Sequence, residues 1–245
     1  MIVSHSGDIR NYLFIWRYEK LFVSLHKILK FMRRYTFNEH YFDVIDSQDK
    51  AYWLGFFAAD GYNHVSKGYI EFRLHNQDRE ILEKFKISIN ASNPIGLYKA
   101  TYCNLSLYSQ HLCDTLASYG LTQAKTYTLT IPQLEDSLMR HFIRGYFDGD
   151  GCFSVIPRND RSVNSKIYQF NITGMYEPLL LIQKHLVSNV GIKALPLKTR
   201  KSTIAVTLHY GGRNVCKRIL DYLYQDAHLY LKRKHDKYLE YCISA

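Results

Sequence analysis

The chain has 245 residues, 47% of them hydrophobic, which suffices for one large or two ordinary domains and excludes general disorder. Lys and Arg number 32 against 22 Asp and Glu, a formal net charge of +10, so a polyanion is the first partner to expect. The five cysteines are odd in number and contain no CxxC pair, and no apolar run approaches membrane-spanning length. Buried thiols in a reducing compartment are therefore expected, in a soluble intracellular protein with no membrane partner: cytoplasmic in a prokaryote, or inside an organelle.

Residues 1–44 read as a basic leader of no assigned role, in which Leu13 to Arg34 can be drawn as an amphipathic helix. The rest divides into two similar halves, 45–121 and 137–245, joined by a linker over 122–136 that contains the breaker Pro132. The first half opens on a helix ending Gly55-Phe56-Phe57-Ala58-Ala59-Asp60-Gly61. Two strands follow, in which Ile70, Phe72 and Leu74 alternate with Tyr69, Glu71 and Arg73. A helix over Asp78–Ile89 comes next, then a strand pair in which Cys103, Leu105 and Leu107 alternate with Tyr102, Asn104 and Ser106, then a helix over Gln110–Tyr119.

The second half repeats this order. Its opening helix ends Gly145-Tyr146-Phe147-Asp148-Gly149-Asp150-Gly151, and Asp60 and Asp150 lie 90 residues apart. Tyr168, Phe170 and Ile172 alternate with Gln169, Asn171 and Thr173; helices are expected over Tyr176–Val190 and Asn214–Tyr224, with Ile204, Val206 and Leu208 on a strand between them. A basic helix over Leu231–Cys242 closes the chain. The fold class is α+β: tandem αββαββα modules.

The repeated motif is unusual as a helix terminus. Gly61 and Gly151 suit the position just past a helix end, but each follows an aspartate, whose carboxylate faces unsatisfied carbonyls and the negative end of the helix dipole. A hard divalent cation offsets that repulsion, because carboxylate and carbonyl oxygens are its preferred ligands. Gly55 and Gly145 would let the two helices pack closely, bringing Asp60 and Asp150 together at one end. One Asp-Gly would be read as a plain turn; two in matched context point to a shared metal site suited to hydrolysing phosphodiesters.

The two motif decapeptides, Tyr52–Gly61 and Phe142–Gly151, resemble the LAGLIDADG motif, and Phe72–Phe85, Gly120–Thr126 and Leu231–Tyr238 also resemble that family of homing endonucleases. The resemblance covers residues 45–242. It implies a single-chain enzyme with modules related by a pseudo-twofold axis and two antiparallel sheets forming a saddle on double-stranded DNA. Asp60 and Asp150 would be the catalytic metal pair, with the carbonyls of Ala59 and Gly149 as further ligands to Mg2+, or to Mn2+ as a substitute. Asp148 would support the site, and Asn76, with Gly174 as its partner position, would stand beside the metals. Lys125 and, in the second module, Lys232 or Lys234 would stabilise charge on the phosphate. Trp53 and Ala58 depart from the consensus Leu and Asp.

The polar strand faces would read bases through Arg73, His75, Asn104, Ser106, Gln169, Asn171, Thr173, Arg200 and Thr207, with Lys201 on phosphate. A monomer on a long asymmetric site is expected, since one chain supplies both motifs. The alternatives are an intron RNA maturase and a DNA-binding regulator that has lost catalysis. An intein is disfavoured, because no splicing-domain Cys or terminal His-Asn is visible.

Overall fold

The computed structural model of the chain describes residues 35–123, 129, 131, 133–157, 166–199 and 204–243. The leader helix, the polar turn after the first strand of the second half, Lys125, Arg200 and Lys201 lie outside the described residues. Residues 37–245 form one unit, which begins inside the segment read from sequence as leader. Phe42 is wholly buried, Tyr41 nearly so, and the Asn38 N–H donates to Ile89 O at 2.8 Å. The body therefore starts earlier than 45: these side chains fill a gap beside the first module, a tertiary contact with no periodic signature.

Helix α1 (Gln48–Asp60) starts at Ser47, whose hydroxyl accepts from the Lys50 N–H, and Asp49 occupies its first turn. Strands β1 (Gly61–His64) and β2 (Tyr69–His75), helix α2 (Arg79–Ser88), strands β3 (Gly96–Tyr98) and β4 (Tyr102–Tyr108) and helix α3 (Gln110–Ser118) complete the first module. The second contains α4 (Asp136–Asp150), β5 (Gly151–Pro157), β6 (Lys166–Gly174), α5 (Tyr176–Val190), β7 (Lys198–Thr199), β8 (Val206–Gly211) and α6 (Arg213–Tyr224). A final helix, α7 (Lys232–Ile243), follows. Each module has one four-stranded antiparallel sheet with the same strand order, β1-β2-β4-β3 and β5-β6-β8-β7.

Period-two alternation decides which sheet face is buried. Ile70, Phe72, Leu74, Cys103, Leu105 and Leu107 are buried in the first sheet, and Phe170, Ile172, Val206, Leu208 and Tyr210 in the second. Phe85 of α2 and Phe72 of β2 meet edge to face with centroids 5.0 Å apart. Trp53, the departure from consensus, is fully buried against Phe85 and donates its indole N–H to Ser88 Oγ at 2.9 Å. Burying rings of this size stabilises by about 1.5–3 kcal/mol each.

The strand registers fix which residues of the two modules are equivalent. Gly61 lies opposite Phe72, and Gly151 opposite Ile172. Gly174 is therefore the counterpart of Leu74, and Asn76 that of Tyr176, which corrects the expected pairing of Asn76 with Gly174. Likewise Glu71 corresponds to Asn171, Arg73 to Thr173 and Asn104 to Thr207. Counting forward from the motif fails because the turn between β5 and β6 is longer than that between β1 and β2.

Candidate active site

Helices α1 and α4 pack against each other through their backbones. A Cβ added at Gly55 would lie 2.0 Å from Phe142 O, and one at Gly145 would lie 2.0 Å from Tyr52 O. Tyr52 and Phe142 hold the same motif position, so each helix contacts the other with the same atoms, as a twofold relation requires. Only glycine permits this approach. Further along, a Cβ at Gly149 would fall 2.3 Å from the Ala59 methyl and 3.2 Å from Asp60 Oδ2. The carboxylate of one motif thus lies directly over the backbone of the other.

Asp60 and Asp150 are the exposed last residues of their helices. Neither helix has a basic residue in its last turn. Two acidic groups therefore share the negative ends of two adjacent dipoles. Gly61 and Gly151 sit just past these ends with extended backbones, φ −75° and −88°, rather than in a left-handed cap. Glycine is needed there for space, since a Cβ would meet the Phe57 ring at 2.3 Å or the Phe147 ring at 2.1 Å. Asp150 also lines a cavity of about 110 Å³ with Ala58, Ala59, Tyr146 and Gly174. Burial, and then the Asp150 charge, raise the Tyr146 phenol above its usual range.

Among the described residues, the candidate lysine that reaches the motif is Lys234. Its ammonium is buried and donates to Phe147 O at 2.6 Å, Gly149 O at 3.1 Å and Gly151 O at 2.6 Å. It caps the carbonyl end of α4, and burial pulls its pKa down to about 8. Lys232 turns away: its side chain is 62% exposed and pairs with Asp236 at 2.6 Å. Of the two second-module lysines that the resemblance offers, Lys234 therefore stands at the motif and Lys232 does not. The two stand on different faces of α7, and only packing against α4 separates them.

Asp148 is a fully buried hub. It accepts from Tyr52 OH at 2.8 Å, Tyr224 OH at 2.6 Å and the Leu231 N–H at 2.7 Å. Burial pushes its carboxyl up, opposed by the charge of Lys234 and by these three donors. Tyr52 belongs to the first module and Leu231 leads into α7, so this one side chain joins both motif helices to the segment carrying Lys234. Arg144, one turn earlier, donates to Leu229 O at 3.0 Å and Leu223 O at 3.2 Å, bracing the same segment. Arg233 crosses to the first module, donating to Asp78 at 3.0 Å. Sequence reading missed Tyr52, Arg144 and Tyr224; the one available signal was that all are polar residues on apolar helix stripes. At the Asp148 position the first module has Ala58, so the two half-sites are built differently.

The remaining candidates lie on the sheets. Asn76 opens the turn after β2, where its N–H donates to Thr101 O at 2.8 Å, and its side chain is exposed. On the polar face of the first sheet Arg73 stands opposite Asn104, beside Glu71 opposite Ser106. The Arg73 guanidinium pairs with Glu71 at 2.9 Å and stacks on Tyr98 with 4.3 Å to the centroid. His75 ends the strand with its ring against Tyr102. In the second sheet Gln169, Asn171 and Thr173 share a face with Thr207 and His209, and Asn171 Oδ1 lies 2.6 Å from His209 Nδ1. Lys198, opposite Thr207, brings a cation to this face that sequence reading did not single out. Hydrogen-bonding side chains therefore cover both faces.

The sequence matches the LAGLIDADG-like domain family over residues 47–90 and 137–222, and the chain belongs to that family. Both motif decapeptides, Tyr52–Gly61 and Phe142–Gly151, fall within the matched segments. Among solved structures, the chain is similar to the I-SmaMI LAGLIDADG homing endonuclease bound to cleaved DNA, at 14% identity and a TM-score of 0.57 over 78% of this chain and 87% of that one. It is also similar to the I-LtrWI LAGLIDADG homing endonuclease bound to target DNA, at 14% identity and a TM-score of 0.55 over 84% of this chain and 91% of that one. I-SmaMI bound to uncleaved DNA target in the presence of calcium ions matches at 13% identity and a TM-score of 0.55, over 78% and 88% of the two chains. At these identities the likeness establishes the fold. No curated protein sequence matches the chain.

Proposed function

We propose that the chain is a monomeric endonuclease that cuts both strands of one long, asymmetric DNA site. The observation that carries this reading is the juxtaposition of Asp60 with Gly149 at the reciprocal contact of the two motif helices. The donor set is all oxygen: two carboxylates and the carbonyl of Ala59, with that of Gly149 shared with the Lys234 ammonium. That set suits magnesium, with manganese as a substitute. Divalent ions held there would activate water and neutralise charge on the phosphate. Asp60 and Asp150, one from each module, would hold the ions. Lys234 offsets the carbonyl dipoles of α4 and adds positive charge beside the site. Asp148 and Arg144 fix the segment that delivers it. The polar faces of the two sheets would lie in the major groove as a saddle, with Arg73, Asn104, Gln169 and Asn171 on base edges. That the similar enzymes are bound to DNA supports DNA as the partner.

Incubation with a randomised duplex library tests the reading. In magnesium or manganese, one long asymmetric sequence should be recovered cut in both strands, and chelation of the metal should abolish cutting. Enrichment of a bound sequence with no cleavage in either metal would contradict the nuclease reading and indicate a DNA-binding regulator.

A further inference from the structure

Away from the motif, three side chains converge at the start of the body. Asp43 Oδ2 lies 2.7 Å from His40 Nδ1, and Asp43 Oδ1 lies 2.7 Å from His111 Nε2. Thr115 Oγ1 donates to the same Oδ1 at 3.3 Å. One ligand atom from each of His40, Asp43 and His111 lies within 4.8 Å of the other two, and the two rings approach to 4.4 Å between centroids. Among the described residues this is the one His/Cys/Asp/Glu trio so arranged.

The backbone holds this arrangement from both sides. Phe42, between His40 and Asp43, is fully buried, and its carbonyl accepts from Tyr119 OH at 3.1 Å. His111 sits in the first turn of α3, which Ser109 caps by accepting from the Leu112 N–H at 3.2 Å. The side chains remain open to solvent, at 65% for His40, 35% for Asp43 and 44% for His111. A cation can therefore enter without unfolding anything, and water can complete its coordination.

We propose that His40, Asp43 and His111 form a binding site for a borderline transition-metal ion of the zinc class, separate from the all-oxygen site at Asp60 and Asp150. Two imidazole nitrogens and one carboxylate select zinc, cobalt or nickel over magnesium. Neutral imidazoles bind through His40 Nδ1 and His111 Nε2. The proton each nitrogen shares with Asp43 in the free protein moves to the other nitrogen of its ring, or to solvent if the ring was cationic. Asp43 then changes from hydrogen-bond acceptor to metal ligand. The bound ion would tie the segment entering α1 to α3 and stabilise the first module.

The test uses the full chain without DNA. Zinc in hundredfold excess over its Kd should raise the melting temperature by about 5–10 °C. Cobalt should give visible absorption bands saturating at one ion per chain. Imidazole 15N spectra should show zinc shifting His40 Nδ1 and His111 Nε2. The effects should vanish in His40→Ala and His111→Ala but persist in a chain carrying both Asp60→Asn and Asp150→Asn. Absence of a zinc-dependent melting shift in the unaltered chain would overturn the proposal. So would a shift that survives both histidine variants, or zinc-responsive imidazoles other than these two. Because the readouts need no cleavage, the outcome is independent of the nuclease reading.

Discussion

At the scale of single residues, several polar side chains of the sheet faces are already paired within the protein. Arg73 is bound to Glu71 and stacked on Tyr98, so its guanidinium has a fixed orientation on the sheet face. Holding a rotamer-rich side chain in place lowers the entropy lost on binding and favours bidentate pairing with one guanine. Arg73→Ala should therefore relax preference at one base position by about 1–3 kcal/mol, roughly 5- to 150-fold, leaving other positions unchanged. Glu71→Gln should weaken the same preference less, because shape survives while the charge that orients Arg73 is lost. Cleavage of every single-base variant of the selected site measures both. A uniform loss across all positions would instead make Arg73 a phosphate contact. The alternation of Arg73 with Phe72 and Leu74 made its outward direction readable in the sequence; its pairing with Tyr98, on a different strand, was not.

At the scale of elements, the α1–α4 contact leaves no room for a side chain at Gly55 or Gly145. Gly55→Ala and Gly145→Ala each place a methyl against backbone carbonyl, which cannot rotate away. Each should lower stability by about 1–3 kcal/mol or more, read as a drop in denaturant midpoint. Gly174→Ala meets side chains alone, the Tyr146 hydroxyl at 2.7 Å and Leu179 at 3.4 Å, and should cost less. If all three cost the same, the helices do not cross at these glycines. His141, on the buried side of α4, gives a second measurement. Burial, then the charges of Arg144 and Arg140, lower its pKa from the ordinary imidazole value of 6.5 to about 4. The unfolded chain therefore binds the proton more tightly, so the stability His141 contributes is intact above pH 6.5 and is lost as pH falls through about 4. In His141→Leu, which also removes an acceptor for Arg144, melting temperature should depend less steeply on pH between 6.5 and 4. An unchanged slope would place the acid sensitivity elsewhere. Helix positions were legible because their apolar periods are strong: Tyr176–Val190 is found as read, and the other helices after the motifs begin and end within a residue or so of expectation. The hub around Asp148 was not legible, because Tyr52, Tyr224 and Leu231 are far from it in sequence and polar residues on helices are ordinarily solvated.

At the scale of the whole molecule, the duplicated Asp-Gly motif was the most informative feature of the sequence. Its position at two helix ends is a local electrostatic anomaly, and repetition made that anomaly meaningful. Module equivalence was harder to read, since loop lengths differ and only strand register aligns the halves. Both halves contribute to one centre: Asp60 over Gly149, Tyr52 on Asp148 and Arg233 on Asp78 all cross between them. One chain should therefore bind one duplex, with different bases recognised on the two sides. The central claim is that Asp60 and Asp150 carry cleavage while the sheets carry recognition. Cleavage and gel-shift titrations of Asp60→Asn and Asp150→Asn on the selected site test it most directly. Each variant should lose double-strand cleavage while binding the same sequence with nearly unchanged affinity; full cutting by both variants would contradict the assignment.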